Sequence, residues 1–193
     1  MIKTENFEQV EVVSQDELRN WLMINHTQKE SIWLVTFKKQ TIEKYVSKQQ
    51  VLDELLCFGW IDGIARKLDE TRTMQLLSPR RVEHWAKTYK DRFKKLEKLK
   101  LIQPAGFKSV EDSKKAGLWD FMDDDVDALI IPTDLLESLK NHEPVFECFN
   151  NFAPSSKRFI LRWIKLSKTE VTRKKRIEQA SVLASENKKI PGL

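Results

Sequence analysis

The chain has 193 residues, 40% of them hydrophobic and 33% charged, with a formal net charge of +5. This composition belongs to a folded globular protein, and two cysteines and five glycines exclude a disulfide-stapled mini-protein and a glycine-rich repeat. The charge is too slightly basic to specify nucleic-acid binding by itself, and no stretch approaches the ~18 apolar residues of a membrane span. Residues 1–11 contain no apolar signal core, and Cys57 and Cys148 lie on apolar stretches outside any CxxC. The expected setting is therefore a reducing one, the cytoplasm, with no membrane involved.

Residues 7–13 alternate weakly, with Val10 and Val12 on one side, and read as a short edge strand. Ser14 followed by Glu17 spells a capping box. Leu18, Trp21 and Leu22 then make the apolar stripe of a helix that fades at Asn25 and His26. Residues 31–38 form the clearest strand. Trp33, Val35 and Phe37 share one face and Ile32 and Leu34 the other, as in a central strand covered on both sides. Ser47 and Gln50 repeat the capping box ahead of a second helix carrying Val51, Leu52, Leu55, Leu56 and Phe58. Gly59 supplies the left-handed residue that ends it. Residues 60–67 and 71–78 pair as a hairpin turning near Asp69 and Glu70, and Pro79 stops the ladder. Strict alternation puts Trp60, Asp62, Ile64 and Arg66 on one face of its first strand, and Arg72, Met74 and Leu76 on one face of the second.

From residue 82 to 101 the period turns helical through Val82, Trp85, Tyr89, Phe93, Leu96 and Leu99, with lysines opposite. Gln103-Pro104-Ala105-Gly106 breaks this helix, and Ser109 with Asp112 caps a short one reaching Gly117. Residues 118–131 are irregular and acidic. Helices follow from Thr133 or Asp134, from Pro144, from Pro154 and over residues 169–186. The expected fold is α+β: a small antiparallel sheet with helices in residues 1–80, then a helical part, 81–193, packed on it as one compact unit.

Familiar catalytic motifs are missing: there is no nucleotide-binding glycine loop, zinc-protease helix or nucleophile elbow. His26, His84 and His142 lack ligand spacing, so no metal and no cofactor is expected. Asp123, Asp125 and Asp127 open like a calcium loop, but Ala128 occupies the position of the turn glycine and no glutamate closes it. Charge is segregated along the chain. Residues 78–100 carry nine Lys/Arg against three acids and residues 155–176 nine against one, while residues 111–147 carry eleven acids against three lysines. Such segments can neutralise one another within a fold, or the basic ones can face an acidic partner or nucleic acid.

The sharpest cluster is Cys57-Phe58-Gly59-Trp60-Ile61-Asp62-Gly63, with Leu68-Asp69-Glu70-Thr71-Arg72 and Ser78-Pro79-Arg80-Arg81 followed by Trp85. Arginines at a strand-to-helix junction, beside the free N–H groups of a helix start, suit an anion. The candidate ligand-binding residues are Trp60, Asp62, Arg66, Arg72, Arg80, Arg81 and Trp85. The alternative is structural: Asp62 and Asp69 pair with Arg66, Arg72 or Arg80 to lock the hairpin to the helix, and the tryptophans are core.

These runs resemble the YdeI/OmpD-associated family, also called bacteriocin-protection proteins. Trp33-Leu34-Val35 with Lys38-Lys39, Pro104-Ala105-Gly106, Ala116-Gly117 with Trp119, and Thr172-Arg173 with Arg176-Ile177 extend the resemblance over about residues 10–185. It implies a small bacterial α+β protein without an established catalytic activity. The chain departs from the family around Trp85, where Glu83, Ala86 and Tyr89 replace flanking serines and a later asparagine, and ahead of Pro104-Ala105-Gly106, where Lys100-Leu101-Ile102 replaces Gly-Arg-Met. The leading expectation is binding of a small anionic ligand where the hairpin meets the 82–101 helix. The alternatives are a module whose basic helices bind nucleic acid or an acidic partner, and an enzyme using Asp62 or Asp69 as acid or base.

Overall fold

The computed structural model describes residues 6–141, 144–186 and 188, and the chain divides into two units between Trp119 and Asp120. In the first unit the order is β1 (Gln9–Glu11), α1 (Gln15–Asn25), β2 (Ile32–Phe37), α2 (Lys48–Cys57), β3 (Trp60–Lys67), β4 (Arg72–Pro79), α3 (Lys87–Lys98) and α4 (Pro104–Lys115). The strands lie in the order β1-β2-β4-β3. The hairpin and the β2–β4 pair are antiparallel, but β1 runs parallel to β2. The sheet is therefore mixed rather than purely antiparallel, because α1 forms the crossover that parallel neighbours require. The α+β class holds, with the sheet in the N-terminal part.

Capping fixes both early helices. Ser14 Oγ accepts from Glu17 N at 3.1 Å, while Glu17 Oε2 reaches past the cap to accept from Val13 N at 2.8 Å. The box at Ser47 and Gln50 closes in full. Ile32, Leu34, Leu77 and Trp60 share one core with Leu18, Leu22, Leu55 and Leu56, each such burial stabilising by about 1.5–3 kcal/mol. Trp33 and Val35, on the opposite face of β2, are buried as well.

Three local expectations are corrected. The helix expected over residues 82–101 begins only at Lys87, with Ala86 as its cap, and residues 82–86 are irregular. The helix expected from Ser109 begins five residues earlier, with Pro104 in its first turn, where a missing N–H costs nothing. Third, β3 does not alternate strictly, because the register slips between Asp62 and Ala65. Opposite residues share a face, so Asp62 stays with Leu77 while Arg66, opposite Met74, moves to the other side.

Backbones touch where α2 ends. Gly59 has φ +71°, and a Cβ there would lie 2.9 Å from the Ala105 carbonyl oxygen. A Cβ on Gly106 would lie 2.5 Å from the Cys57 carbonyl oxygen. The two glycines let the start of α4 lie against the end of α2, and Gln103 N donates to Cys57 O at 3.0 Å.

The second unit is helical: a π turn (Asp123–Asp127), then α5 (Thr133–Lys140), α6 (Val145–Asn150), α7 (Pro154–Lys165) and α8 (Glu170–Ser185). Within the stretch expected to be irregular, the π turn buries Met122 and Val126. Pro132 occupies the cap of α5 and Pro144 that of α6. Thr169 caps α8, its Oγ1 accepting from Thr172 N at 3.1 Å. Leu135, Leu139, Phe149, Ile164 and Ala184 form this unit's own core.

Candidate functional site

At the end of β4 the ladder continues one residue beyond Pro79, with Arg80 N donating to Gly59 O at 2.9 Å. The Arg80 side chain then turns inward. Its Nε donates to Trp60 O at 3.3 Å and its Nη1 to His84 O at 2.6 Å. The guanidinium lies between two rings, 4.6 Å from the Trp85 centroid and 4.5 Å from that of Tyr89. Tyr89 Oη donates to Asp62 Oδ1 at 3.1 Å, and Gln75 Nε2 donates to Asp62 Oδ2 at 3.2 Å. Burial lowers the Arg80 pKa to about 10, against the opposing pull of Tyr89 and Asp62, so the group remains cationic at neutral pH. Its Nη2 and the neighbouring Trp85 Nε1 are enclosed without a hydrogen-bond partner.

Of the seven candidate residues, the structure gathers Trp60, Asp62, Arg80 and Trp85. Trp60 is wholly buried and donates to His26 O at 3.0 Å, and Trp85 is buried to the same degree, so both act as walls of the core. Arg66 is carried away by the bulge, with its guanidinium over the Trp33 ring. Arg72 is held by Asp69 at 2.7 Å and by Glu11 at 2.6 Å. Arg81 is exposed. The helix start expected beside these arginines lies instead at Lys87.

Asp69 shapes the hairpin turn. Its Oδ1 accepts from the N–H groups of Thr71 and Arg72 at 2.8 and 2.7 Å. The Arg72 guanidinium and these donors hold its carboxyl well below the usual carboxylate range, which suits a turn anchor and not a proton donor. Both Asp62 oxygens are likewise committed to neighbours.

Sequence reasoning placed Tyr89 on the helix stripe without assigning it to Asp62, and it passed over Gln75. The available signals were the spacing of Tyr89 one turn after Trp85 and a lone amide between Met74 and Leu76. Gln75 leads to open space. A cavity of about 280 Å³ is lined by Thr36, Val46, Lys48, Val51, Ala65, Arg66, Lys67, Thr73 and Gln75. Its lining contains no carboxylate; Lys48 and Lys67 are its cations, since the Arg66 guanidinium lies over Trp33 on the other face of the sheet. Thr36 and Thr73 stand side by side across β2 and β4, with their hydroxyls 3.4 Å apart. Lys48 and Val51 bring in the first turn of α2, and Val46 the residue before its cap. Lys67 also pairs with Glu70.

In the second unit the segregated charges meet. Lys165 pairs with Asp125 at 2.6 Å and Arg173 with Asp134 at 2.6 Å. Arg158 donates to Asp127 O at 3.3 Å, and Arg176 donates to Trp163 O. Among the described residues no group of three or more His, Cys, Asp or Glu could hold a metal ion; His142 lies outside them. No helix among them is long and apolar enough to cross a membrane.

Two families match the chain. Residues 10–109 match one described as a domain of unknown function (DUF8412). Residues 128–187 match one described as bacteriocin-protection, YdeI or OmpD-associated. The second match bears out the resemblance seen in the sequence for the C-terminal part, whereas the Gly-Trp-Ile-Asp-Gly and Pro-Arg-Arg runs fall inside the first. No curated protein and no solved structure matches the chain.

Proposed function

The chain belongs to the family described as a domain of unknown function (DUF8412), with a C-terminal segment of the bacteriocin-protection, YdeI or OmpD-associated family, and from that premise we propose that its first unit binds a small anionic ligand without transforming it. The observation that carries this reading is the cavity over the hairpin, where Lys48 and Lys67 face no acid in the lining. Thr36, Thr73 and Gln75 offer two hydroxyls and an amide to ligand oxygens. Lys48, exposed at the first turn of α2, combines its ammonium with the positive end of the helix. Asp62 acts at one remove, fixing the Gln75 amide through its Nε2. The ligand class is a phosphate- or carboxylate-bearing small molecule. Bacteriocin protection, named by the second family, is the setting in which such binding would act.

Calorimetric titration of the full chain with inorganic phosphate and with citrate tests the reading. Saturable binding that weakens as sodium chloride is raised is expected, because exposed charges are screened. Lys48→Glu should remove it, and Thr73→Val should weaken it while leaving the fold intact. Absence of binding to either anion, or a Lys48→Glu chain that binds like the parent, would refute it.

A further inference from the structure

A second cavity, independent of the one over the hairpin, lies between α3 and α4 and has a volume of about 370 Å³, within the range of small-molecule pockets. Its floor is aromatic. Phe93 of α3 and Phe107 of α4 meet edge to face with centroids 5.8 Å apart, and Trp119 closes one end. Phe107 is 45% exposed. A lone exposed phenylalanine on a helix needs no explanation, but one that lines a hollow beside a second ring and an indole presents an organised apolar surface.

Trp119 links this cavity to the Arg80 cluster. Its ring lies 4.9 Å from that of Trp85, which also meets the Arg80 guanidinium and the Phe93 ring. The contacts run Tyr89, Arg80, Trp85, Trp119, so the indole packs on one side against this cluster. Cations gather on the same indole, with Lys90 Nζ 4.8 Å and Lys114 Nζ 5.3 Å from its centroid. Lys94 adds a third ammonium to the rim. The acids of the rim are Glu97 and Glu111, and Glu111 is engaged by Lys115 at 3.0 Å.

We infer that this cavity is a binding site for a flat aromatic molecule carrying one anionic group, an aryl carboxylate or aryl sulfonate. The rings of Phe93 and Phe107 receive the aromatic body edge-on, and Val110 fills the wall beside them. The anionic group lies toward Trp119 and the exposed ammonium of Lys114. Lys114, already held against the indole, loses little freedom on binding, which reduces the ordering cost of the complex.

Anilinonaphthalene sulfonate is the probe, titrated into the full native chain and followed by its fluorescence and by amide and indole proton–nitrogen spectra. One saturable site is expected, with the Trp119 indole signal moving more than those of the other five tryptophans of the six in the chain. Phe107→Ser and Lys114→Glu should each weaken binding about tenfold, ~1.4 kcal/mol, with far-ultraviolet dichroism and urea midpoint as in the parent. Neutral phenylnaphthylamine should bind the parent more weakly than the sulfonate does, and should be indifferent to Lys114→Glu. Lys48→Glu should leave the probe's affinity unchanged, which keeps this site separate from the hairpin cavity. Unchanged affinity in both Phe107→Ser and Lys114→Glu, or shifts centred on residues other than those of α3, α4 and Trp119, would overturn the assignment.

Discussion

The Tyr89 hydroxyl donates to Asp62 Oδ1 at 3.1 Å while the same ring lies 4.5 Å from the Arg80 guanidinium carbon. One side chain thus faces the hairpin's acid with its polar tip and the corner's buried cation with its π face. Tyr89→Phe removes only the tip. Losing a hydrogen bond to a charged acceptor should cost about 1.5–3 kcal/mol. Tyr89→Leu also removes the ring, adding roughly 0.5–2 kcal/mol of lost cation–π attraction. Urea denaturation should therefore rank the parent above Tyr89→Phe, and Tyr89→Phe above Tyr89→Leu, at constant m-value. Equal midpoints for the parent and Tyr89→Phe would show that Asp62 has no need of the hydroxyl.

The paired glycines at the α2–α4 contact make a second, sharper prediction. Gly106→Ala would press a methyl to within 2.5 Å of the Cys57 carbonyl and 2.8 Å of that of Leu56. Both obstacles are backbone, so neither can rotate away. Gly59→Val meets the Ala105 carbonyl at 2.9 Å and must also hold a β-branched residue at φ +71°, which alone costs about 1–3 kcal/mol. Each variant should lose more than ~2 kcal/mol by chemical denaturation, and Gly117→Ala, with open space around it, should lose less than either. A Gly106→Ala chain as stable as its parent would mean that α4 can slide off α2.

Much of this was legible in the sequence, for local reasons. The cap at Ser14, the full box at Ser47, the left-handed Gly59 and the hairpin turn at Asp69 are written by residues within four positions of one another, and the structure keeps them, except that Glu17 closes on Val13 N and not on the Ser14 N–H. Features that depend on partners distant in the chain were hidden. The bulge after Asp62 is set by pairing with β4, and it alone moves Arg66 off the Asp62 face. The late start of α3 follows from Arg80 folding back onto His84 O and Trp60 O. The parallel β1 depends on α1 passing over the sheet, which no pattern within β1 records. The candidate cluster was accordingly half visible: Asp62, Arg80 and Trp85 by their motifs, and Tyr89, Gln75, Lys48 and Trp119 only once the strands and helices were assembled.

Glu54 supplies a test of buried charge. It is 2% exposed, and it accepts from Arg19 Nη1 at 2.8 Å and from Gln15 Nε2 at 2.6 Å. Arg19→Met leaves a carboxylate in the core without its cation and should cost about 3–5 kcal/mol. The double change Arg19→Met with Glu54→Leu should recover much of that loss, because it removes the stranded charge along with its partner. The double-mutant cycle in urea should give a coupling well above the ~0–1 kcal/mol of an exposed pair. A coupling near zero would show that water reaches Glu54.

Cys57 gives the pH dependence. The thiol is buried at the end of α2, and burial, helped by the Glu54 charge, raises its pKa from 9.0 to about 11, although Arg19 pulls the other way. The folded chain therefore keeps its proton where an unfolded cysteine would release it. Stability from this group is whole below pH 9.0 and falls as pH rises through about 11. Cys57→Ala loses packing but should flatten the decline across that interval. The thiolate is the reactive form, so native Cys57 should resist iodoacetamide at neutral pH and react once urea unfolds the chain. Cys148, intermediate in exposure, is the internal comparison, and mass mapping of the labelled peptides separates the two. Rapid labelling of Cys57 in the native chain at pH 8 would show that its burial does not hold in solution.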